Sequence, residues 1–574
     1  MKIRDIVPVA LGEKPADLLL TNARIVNVFT GEIEEGNIAL FRKRIAGIGD
    51  YTEASRVIDL QGHYVAPGFI DAHIHIESSM VSPREFARAV LPRGTTTVIA
   101  DPHEITNVLG LAGLDYMIQS TEGIPLNVYI ALPSAVPATE METSGARLGP
   151  EDMVSYVDKY PRRIIALGEV MNFPGVLSRD RELITKIEIL RHEYKKIDGH
   201  APGLRGKELN AYISAFIRSD HESTAEDEAL EKVSRGMQVL IREGTAAKNL
   251  SALIGGVTLR NHSFFSFCTD DREPTDIVRE GHIDYLVRKS IASGVDPVAA
   301  IRMATINTAR HYNLRSMGAI APGYKADLVI LDDLEKVRIT QVIKDSKVVA
   351  QKGEMTDPVN GVFTQTQDTL GRIVLPPFSP ASLRVKAESS TLRVIGMREG
   401  DLFTDSLVRP AKIENGYVSA DPENDVAKVA VLERHTGSGM SVGFATGFGI
   451  LRGAIATTIG HDSHNLCVMG MKDEDMYRAV MRVKDLNGGI VCVDEGKIIA
   501  ELPLPIGGLM SSGPLPQVVH ELEDLKNAIR TLGSKKDILM LLHFIQLPVI
   551  PELKLTDRGL VQVMSQEFVD LFVY

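Results

Sequence analysis

The sequence has no tryptophan, only three cysteines and no long uninterrupted apolar run. Cys268, Cys467 and Cys492 are far apart and odd in number, so they predict no disulfide framework and fit a reducing compartment. No apolar run approaches the ~20 residues of a membrane-spanning helix. The first residues lack the charged and then apolar pattern of a secretory signal. We therefore expect a cytoplasmic protein without a membrane segment.

An excess of positive charge is also missing. The formal net charge is −12 at pH 7, which argues against a partner such as nucleic acid or an anionic membrane surface. The 574 residues are too many for one hydrophobic core and predict roughly three to four domains. The chain does contain 15 histidines, and several of them follow predicted strands.

His73 and His75 are the most informative of these histidines. They follow an apolar run at 65–70, which predicts a buried strand. Side chains alternate along a strand, so both imidazoles lie on one face. Two neutral imidazoles on one face can bind one divalent cation. Taken alone, the pair is equally compatible with two surface or core histidines and no metal.

Strands and helices alternate between residues 65 and 314, and the pattern predicts a (β/α)8 barrel. The helical stretches include 84–93, 151–160, 179–195 and 226–236. A doubly wound open sheet is the competing topology, but no Gly-x-Gly-x-x-Gly motif opens a helix. The eight predicted strands are 65–70, 97–101, 126–132, 164–169, 197–200, 216–220, 237–241 and 264–268.

Two further domains flank the predicted barrel. Short apolar runs separated by turn residues predict a small antiparallel β unit in 1–64, and the same pattern returns in 315–358. We expect these two segments to form one composite β domain with the barrel inserted between them. Residues 370–574 predict a C-terminal α+β domain with strands at 383–385, 392–395 and 426–432 and a helix at 517–532. The polar segment 357–369 is the predicted linker.

Polar side chains follow the predicted barrel strands at the edge where barrel active sites lie. Each of them alone is more typical of a capping or structural residue. Six of them, the four histidines His73, His75, His200 and His221 and the two carboxylates Glu169 and Asp270, would lie at one level, and this joint pattern predicts a metal site. The candidates are His73, His75, Asp101, His103, Glu104, Glu169, His200, His221 and Asp270.

The residue types favour a pair of metal ions. We expect His73 and His75 to bind one ion together with Asp270, and His200 and His221 to bind the other. Two nearby cations repel each other, and Glu169 is the anionic ligand that can bridge them. Two ions ~3.5–4 Å apart can share a hydroxide, because they lower the pKa of the bound water to near neutral. Asp270 would also act as a general base that transfers the proton of this hydroxide. Asp271 is the ligand instead if the strand ends one residue later.

The order and spacing of these residues resemble those of the amidohydrolase superfamily. Many of its members bridge their metals with a carbamylated lysine, where this chain has Glu169. A glutamate at this position, together with several sequence motifs, makes the chain resemble the bacterial and archaeal adenine deaminase family. The resemblance covers nearly the whole chain. The adenine deaminase motifs are PGFIDAHIHIESS at 67–79, ADPHEI at 100–105, GHAPGL at 199–204, SDHE at 219–222, CTDD at 268–271 and PLPIGGLMS at 503–511. The segment GAIAPGYKADLVILD at 318–332 is similar to the composite domain of the amidohydrolase superfamily.

The resemblance implies a metal-dependent aminohydrolase of purine salvage, which converts adenine to hypoxanthine and ammonia. It implies two divalent ions, Fe(II) or Mn(II) and possibly Zn(II), whose bound hydroxide attacks C6 of the purine. Asp270 is then the expected proton shuttle. Glu77 is either an acid or contact at the ring nitrogens or a salt-bridged residue at the rim.

Four more residues are candidate substrate contacts. His103 and Glu104 line the purine pocket or order the second barrel loop. The polar segment 457–465 contains His461 and His464, and it forms either a lid over the substrate or a network between domains.

Other functions remain open at this point. A different amidohydrolase that acts on another aminopurine or a cyclic amide would share the metal site. A barrel that has lost its chemistry would lack ligands, whereas all six expected ligand positions are filled. The zinc deaminases that use Cys-x-x-Cys are excluded, because the chain has no such motif. We expect a homodimer, since closed two-fold dimers are the commonest oligomers.

Overall fold

The computed structural model describes residues 2–359, 370–398 and 402–574. Most of the predicted linker at 357–369 lies outside the described residues. Within the described ranges, no helix is both long enough and apolar enough to cross a membrane.

Eight parallel strands form the barrel, as predicted. The first five strands share one sheet and the last three share another. Backbone hydrogen bonds close the circle: Arg218 N–H donates to Ile197 O (2.9 Å), and Asp270 N–H donates to His73 O (3.0 Å). The strands are Phe69–Ile74, Thr95–Ala100, Asn127–Leu132, Ile164–Val170, Lys196–Gly199, Ser219–Asp220, Gln238–Arg242 and Phe265–Cys268.

Helices surround the barrel strands. The helix predicted at 179–195 is shorter, Arg181–His192, and a separate helix, Phe173–Ser178, precedes it and ends at Arg179, which adopts a left-handed conformation. The Asp180 carboxylate then accepts from Leu183 N–H (2.8 Å) and caps the helix Arg181–His192. The helices are Pro83–Val90, His103–Leu109, Leu111–Ser120, Pro150–Lys159, Phe173–Ser178, Arg181–His192, Gly206–Ser214, Glu226–Ser234, Leu250–Leu253, Pro274–Arg279, Ile283–Ala292, Pro297–Met303 and Ile306–His311.

The predicted strand at 65–70 is also divided. Tyr64–Pro67 pairs with Leu328–Asp333 outside the barrel, and Phe69–Ile74 begins the barrel. Gly68 makes the crossing: its N–H donates to Asp327 O (2.8 Å), and a Cβ at this position would lie 2.2 Å from Thr96 Oγ1. A side chain does not fit there, and the chain changes sheets at this glycine, shortly before His73 and His75.

A nine-stranded sheet contains strands from both ends of the barrel segment. The predicted antiparallel unit is in fact mixed, because Leu18–Val26 pairs in parallel with Val57–Asp59 and Tyr64–Pro67. The other strands are Ile33–Phe41, Arg44–Gly49, Leu328–Asp333, Arg338–Lys344, Lys347–Gln351 and Glu354–Met355, and helix Ile3–Ala10 precedes them.

The C-terminal part is built around an eight-stranded sheet. The strand predicted at 383–385 begins at Val385, because Pro380–Leu383 forms a 3-10 helix with proline in its first turn. The eight strands are Thr391–Met397, Thr404–Pro410, Val426–Leu432, Met440–Thr446, Ala454–Thr457, Leu466–Gly470, Gly489–Asp494 and Lys497–Pro503. The helices are Asp473–Asp485, Leu515–Thr531 and Leu539–Phe544. Two small sheets contain Val385–Lys386, Ile413–Glu414 and Tyr417–Val418, and Leu553–Thr556, Gly559–Gln562 and Glu567–Val569.

Candidate metal centre

Four buried side chains converge where the first, fourth and eighth barrel strands end. The Nε2 atoms of His73 and His75 lie 3.1 Å apart. Glu169 Oε1 is 3.6 Å from the first nitrogen and 3.2 Å from the second. Asp270 Oδ1 lies 3.4 and 3.1 Å from the same two atoms. These four atoms can hold one cation.

The other oxygen of Glu169 faces a second group. Glu169 Oε2 lies 2.6 Å from His200 Nδ1 and 3.2 Å from His221 Nε2. The Glu169 backbone N–H donates to Asp101 Oδ2 (3.0 Å), which fixes the strand end. One carboxylate therefore stands between two sets of histidines, as a bridging ligand would.

The tautomer of His75 fits a metal ligand. Its Nδ1–H donates to the backbone oxygen of Asp101 (2.9 Å), so Nε2 of the neutral ring carries a lone pair toward the other donors. The charge balance fits as well. Burial disfavours a charged ring, yet the hydrogen-bonded Asp270 and Glu169 carboxylates raise the pKa of His73 to about 10. The site thus favours positive charge, and a divalent ion supplies it while the imidazoles stay neutral.

Asp270, rather than Asp271, points toward the histidines. Asp270 directs Oδ1 at His73 and His75, whereas Asp271 accepts a short hydrogen bond from Ser78 Oγ. The geometry therefore favours the ligand assignment that places the end of the eighth strand before Asp270.

Arg242 is a site residue that sequence reasoning missed. It ends the seventh barrel strand, and its Nη1 donates to Asp270 Oδ2 (2.8 Å). Its guanidinium also binds both carboxylate oxygens of Glu222, with Nη2 3.1 Å from Oε2. The available signal was a charged residue directly after the apolar segment 239–241. Arg242 fixes the orientation of Asp270 and leaves Oδ1 free to face the site.

Replacing Arg242 should destabilise the protein strongly. Arg242→Gln leaves Glu222 and Asp270 buried without their cation, and breaking a buried pair in this way costs about 3–5 kcal/mol. Chemical denaturation of the metal-free protein measures this change in the free energy of unfolding. The matched control is Arg147→Gln, whose exposed ion pairs with Glu140 and Glu182 should contribute less than about 1 kcal/mol. Equal effects of the two variants would contradict the assignment.

A third buried cluster joins the barrel to the C-terminal part. Glu104 Oε1 lies 2.7 Å from His461 Nδ1, and Glu104 Oε2 is hydrogen-bonded to His464 Nε2. His103 Nε2 lies 3.5 Å from Glu104 Oε1 and 3.7 Å from Asp462 Oδ1. All four predicted substrate contacts thus meet beside the metal-facing residues. Asp462 belongs to the polar segment 457–465 but was not among the predicted substrate contacts.

Apolar side chains line the same cavity as Glu169, His200 and Asp270. The His461 ring stacks on Phe544, with centroids 4.1 Å apart and planes at 11°. The apolar residues that line the cavity are Met171, Leu402, Phe544, Leu547 and Ile550. The cavity is thus lined by carboxylate, imidazole and guanidinium groups together with apolar and aromatic side chains.

Comparisons with known proteins agree with this architecture. A model of the amidohydrolase family matches residues 64–350, and a model of the adenine deaminase C-terminal domain matches residues 401–567. An adenine deaminase of Thermosipho africanus is 60% identical over 100% of both chains, and one of Thermosipho melanesiensis is 58% identical, also over 100% of both. The chain belongs to the adenine deaminase family. Among solved structures, a β-aspartyl dipeptidase of Fervidobacterium islandicum is similar with a TM-score of 0.46 at 18% identity, covering 59% of this chain and 98% of that one.

Membership of the adenine deaminase family confirms the resemblance predicted from the sequence motifs. It also confirms the prediction of an amidohydrolase barrel with an additional C-terminal part. The roles of individual residues, Glu169 included, stay predictions at this point. Glu77 lies near His75 and Glu104: its Oε1 accepts from Ile105 N–H (3.2 Å), and its buried Oε2 has no hydrogen-bond partner among the residues that the structure describes.

Proposed function

We propose that this protein hydrolyses adenine to hypoxanthine and ammonia. The observation that carries the proposal is the Glu169 carboxylate between two groups of histidines, in a cavity that apolar and aromatic side chains also line. The full-length relatives named adenine deaminases support adenine as the substrate.

The proposed centre holds two divalent ions. Glu169 contributes to both sites, with His73, His75 and Asp270 completing one and His200 and His221 completing the other. Imidazole and carboxylate ligands accept Fe(II), Mn(II) or Zn(II), and metal availability decides among these. When bound, such ions lower the pKa of water toward neutrality and so supply the nucleophile.

Asp270 is the proposed base. Although burial opposes ionisation, the Arg242 guanidinium holds the pKa of Asp270 well below its usual range. The ionised Oδ1 is therefore available to accept a proton from the attacking water. Arg242 donates a hydrogen bond to Asp270 Oδ2, so Asp270 Oδ1, the proposed proton acceptor, stays directed at His73 and His75.

Glu77 is the proposed acid at the purine ring. Burial raises its pKa to about 7, and its unpartnered Oε2 can carry the proton. Glu77→Gln preserves an acceptor for Ile105 N–H but removes the acid, so kcat/KM should fall by about 10²-fold. Steady-state kinetics at matched metal content test this. Full activity of Glu77→Gln would remove Glu77 from the mechanism.

A substrate panel tests the proposed reaction. Protein loaded with Mn(II) is incubated with adenine, other aminopurines and cyclic amides, and ammonia and the purine products are quantified. The proposal predicts equal amounts of hypoxanthine and ammonia from adenine and the highest kcat/KM for this substrate. A higher kcat/KM for another aminopurine or a cyclic amide would instead support the alternative amidohydrolase activity.

The proposal also includes a cytoplasmic homodimer. Light scattering should then report about twice the chain mass of 62.7 kDa. A mass of one chain would contradict the dimer without affecting the chemistry. Fractionation of cells that express the protein tests the compartment.

A further inference from the structure

The Glu104 cluster, defined as Glu104, His461 and His464, lies beside the proposed metal pair and has no role in it. Its three side chains are buried, and the two histidines come from a loop of the C-terminal part. A carboxylate with two imidazoles has the composition of a third metal site. The hydrogen bonds of the two rings decide against that interpretation.

His464 has the wrong tautomer for a metal ligand. Gly460 N–H donates to His464 Nδ1 (3.1 Å), so Nδ1 carries a lone pair and the neutral ring carries its proton on Nε2. That Nε2–H donates to Glu104 Oε2. Burial lowers the pKa of His464, consistent with a neutral ring. This arrangement is the reverse of His75, whose Nδ1–H is donated and whose Nε2 lone pair is directed at the carboxylates of the proposed metal centre.

His461 is oriented by the other oxygen of the same carboxylate. His461 Nδ1–H donates to Glu104 Oε1 (2.7 Å), and the ring is held against Phe544. No hydrogen bond of the described residues uses its Nε2. The residue lines the same cavity as His75 and Asp270, so Nε2 is the atom that remains for a bound molecule.

We propose that His461 donates a proton from Nε2 to a nitrogen of the substrate, with Glu104 and His464 as positioning residues. The inference rests on the proposed deamination and adds a proton donor contributed by the C-terminal part. Glu104 accepts from both rings, so His464 fixes the carboxylate and the carboxylate fixes His461.

The reaction balances with this donor. Adenine and one water become hypoxanthine and ammonia: the water oxygen stays on C6, one water proton ends on N1 and the other on ammonia. As the C6–N bond breaks, the bond electrons stay with nitrogen. His461 supplies one of the two protons and Glu77 the other, and the two protons of the water restore both acids, one of them after transfer to Asp270. No oxidant or further reactant is needed.

The charge of His461 agrees with a donor role. Burial opposes protonation, but the Glu104 carboxylate raises the pKa of His461 to about 9. The carboxylates of Asp271 and Asp462 add to this effect, while the ring of His543 lies on the other side with its own pKa lowered by burial. The raised pKa is consistent with a ring that has a proton on Nε2 to donate.

Three variants and one control test the inference on the best substrate of the panel. His461→Asn keeps an N–H for Glu104 but removes Nε2, so kcat should fall by about 10²-fold while KM stays within about threefold. Glu104→Gln and His464→Asn should each lower kcat by about tenfold with little change in KM. The control is His520→Asn, which changes an exposed histidine that pairs with Asp524, and it should match the wild type.

Metal content and melting temperature are measured on the same samples. We expect all four variants to retain the wild-type number of metal ions per chain. A kcat for His461→Asn within about twofold of His520→Asn would overturn the inference. Loss of one metal equivalent in His461→Asn and Glu104→Gln would overturn it in favour of a third metal site. A wild-type protein that is inactive on adenine but active on another panel substrate would refute adenine as substrate and leave this test intact. Inactivity on the whole panel would overturn both proposals.

Discussion

Glu169→Gln should lose adenine turnover and bound metal together. Glutamine keeps the size of the side chain, but its uncharged amide cannot offer two anionic oxygens to the two histidine groups. We expect kcat/KM to fall on the order of 10³-fold and the metal content to fall below one ion per chain. Elemental analysis after gel filtration and steady-state kinetics of the same sample measure both quantities.

The control for this substitution is Glu182→Gln. Glu182 is partly exposed and pairs with Arg147 and Lys186 away from the centre, so this variant should bind metal and turn over adenine as the wild type does. The bridging role of Glu169 would be contradicted by a Glu169→Gln protein that keeps its full metal content and its activity.

Asp270→Asn should separate chemistry from metal binding. The two histidines and Glu169 remain to hold the first ion, whereas the proton acceptor is lost. We therefore expect kcat to fall by about 10³-fold, in the upper half of the range for general bases, with most of the metal retained. The informative comparison is with Glu169→Gln, because that variant should lose both its bound metal and its activity, whereas Asp270→Asn should lose only its activity.

Asp271→Asn is the matched control for Asp270→Asn. Its carboxylate accepts from Ser78 Oγ and does not face the histidine nitrogens. We expect less than about a tenfold loss of kcat in this variant. A larger loss in Asp271→Asn than in Asp270→Asn would show that the assigned strand end is wrong by one residue.

Much of the barrel and its rim could be predicted from local patterns. His73 and His75 alternate on a strand, and Glu169, His200 and Asp270 each follow an apolar run, so strand ends alone place them at one edge. The family motifs then gave these residues a common chemistry. The strand at 426–432 was predicted with the bounds that the structure shows, because every residue of Val426–Leu432 is buried.

Contacts between distant segments could not be predicted in this way. Nothing local links Glu104 to His461, which lies 357 residues further along the chain. An arginine after a strand is usually solvated, so Arg242 was not predicted as a site residue. Its role in the site depends on its contacts with the buried carboxylates of Glu222 and Asp270. The division of the strand at Gly68 depends on Thr96, which approaches from the neighbouring strand.

The most direct test of the whole account is adenine deamination before and after metal removal. Protein stripped by a chelator is reconstituted anaerobically with Fe(II) or Mn(II), and hypoxanthine, ammonia and bound metal are quantified. The account predicts no turnover by the stripped protein, and equal release of both products once about two ions per chain are restored. Deamination by the metal-free protein would contradict it, as would a fully reconstituted protein that leaves adenine unchanged.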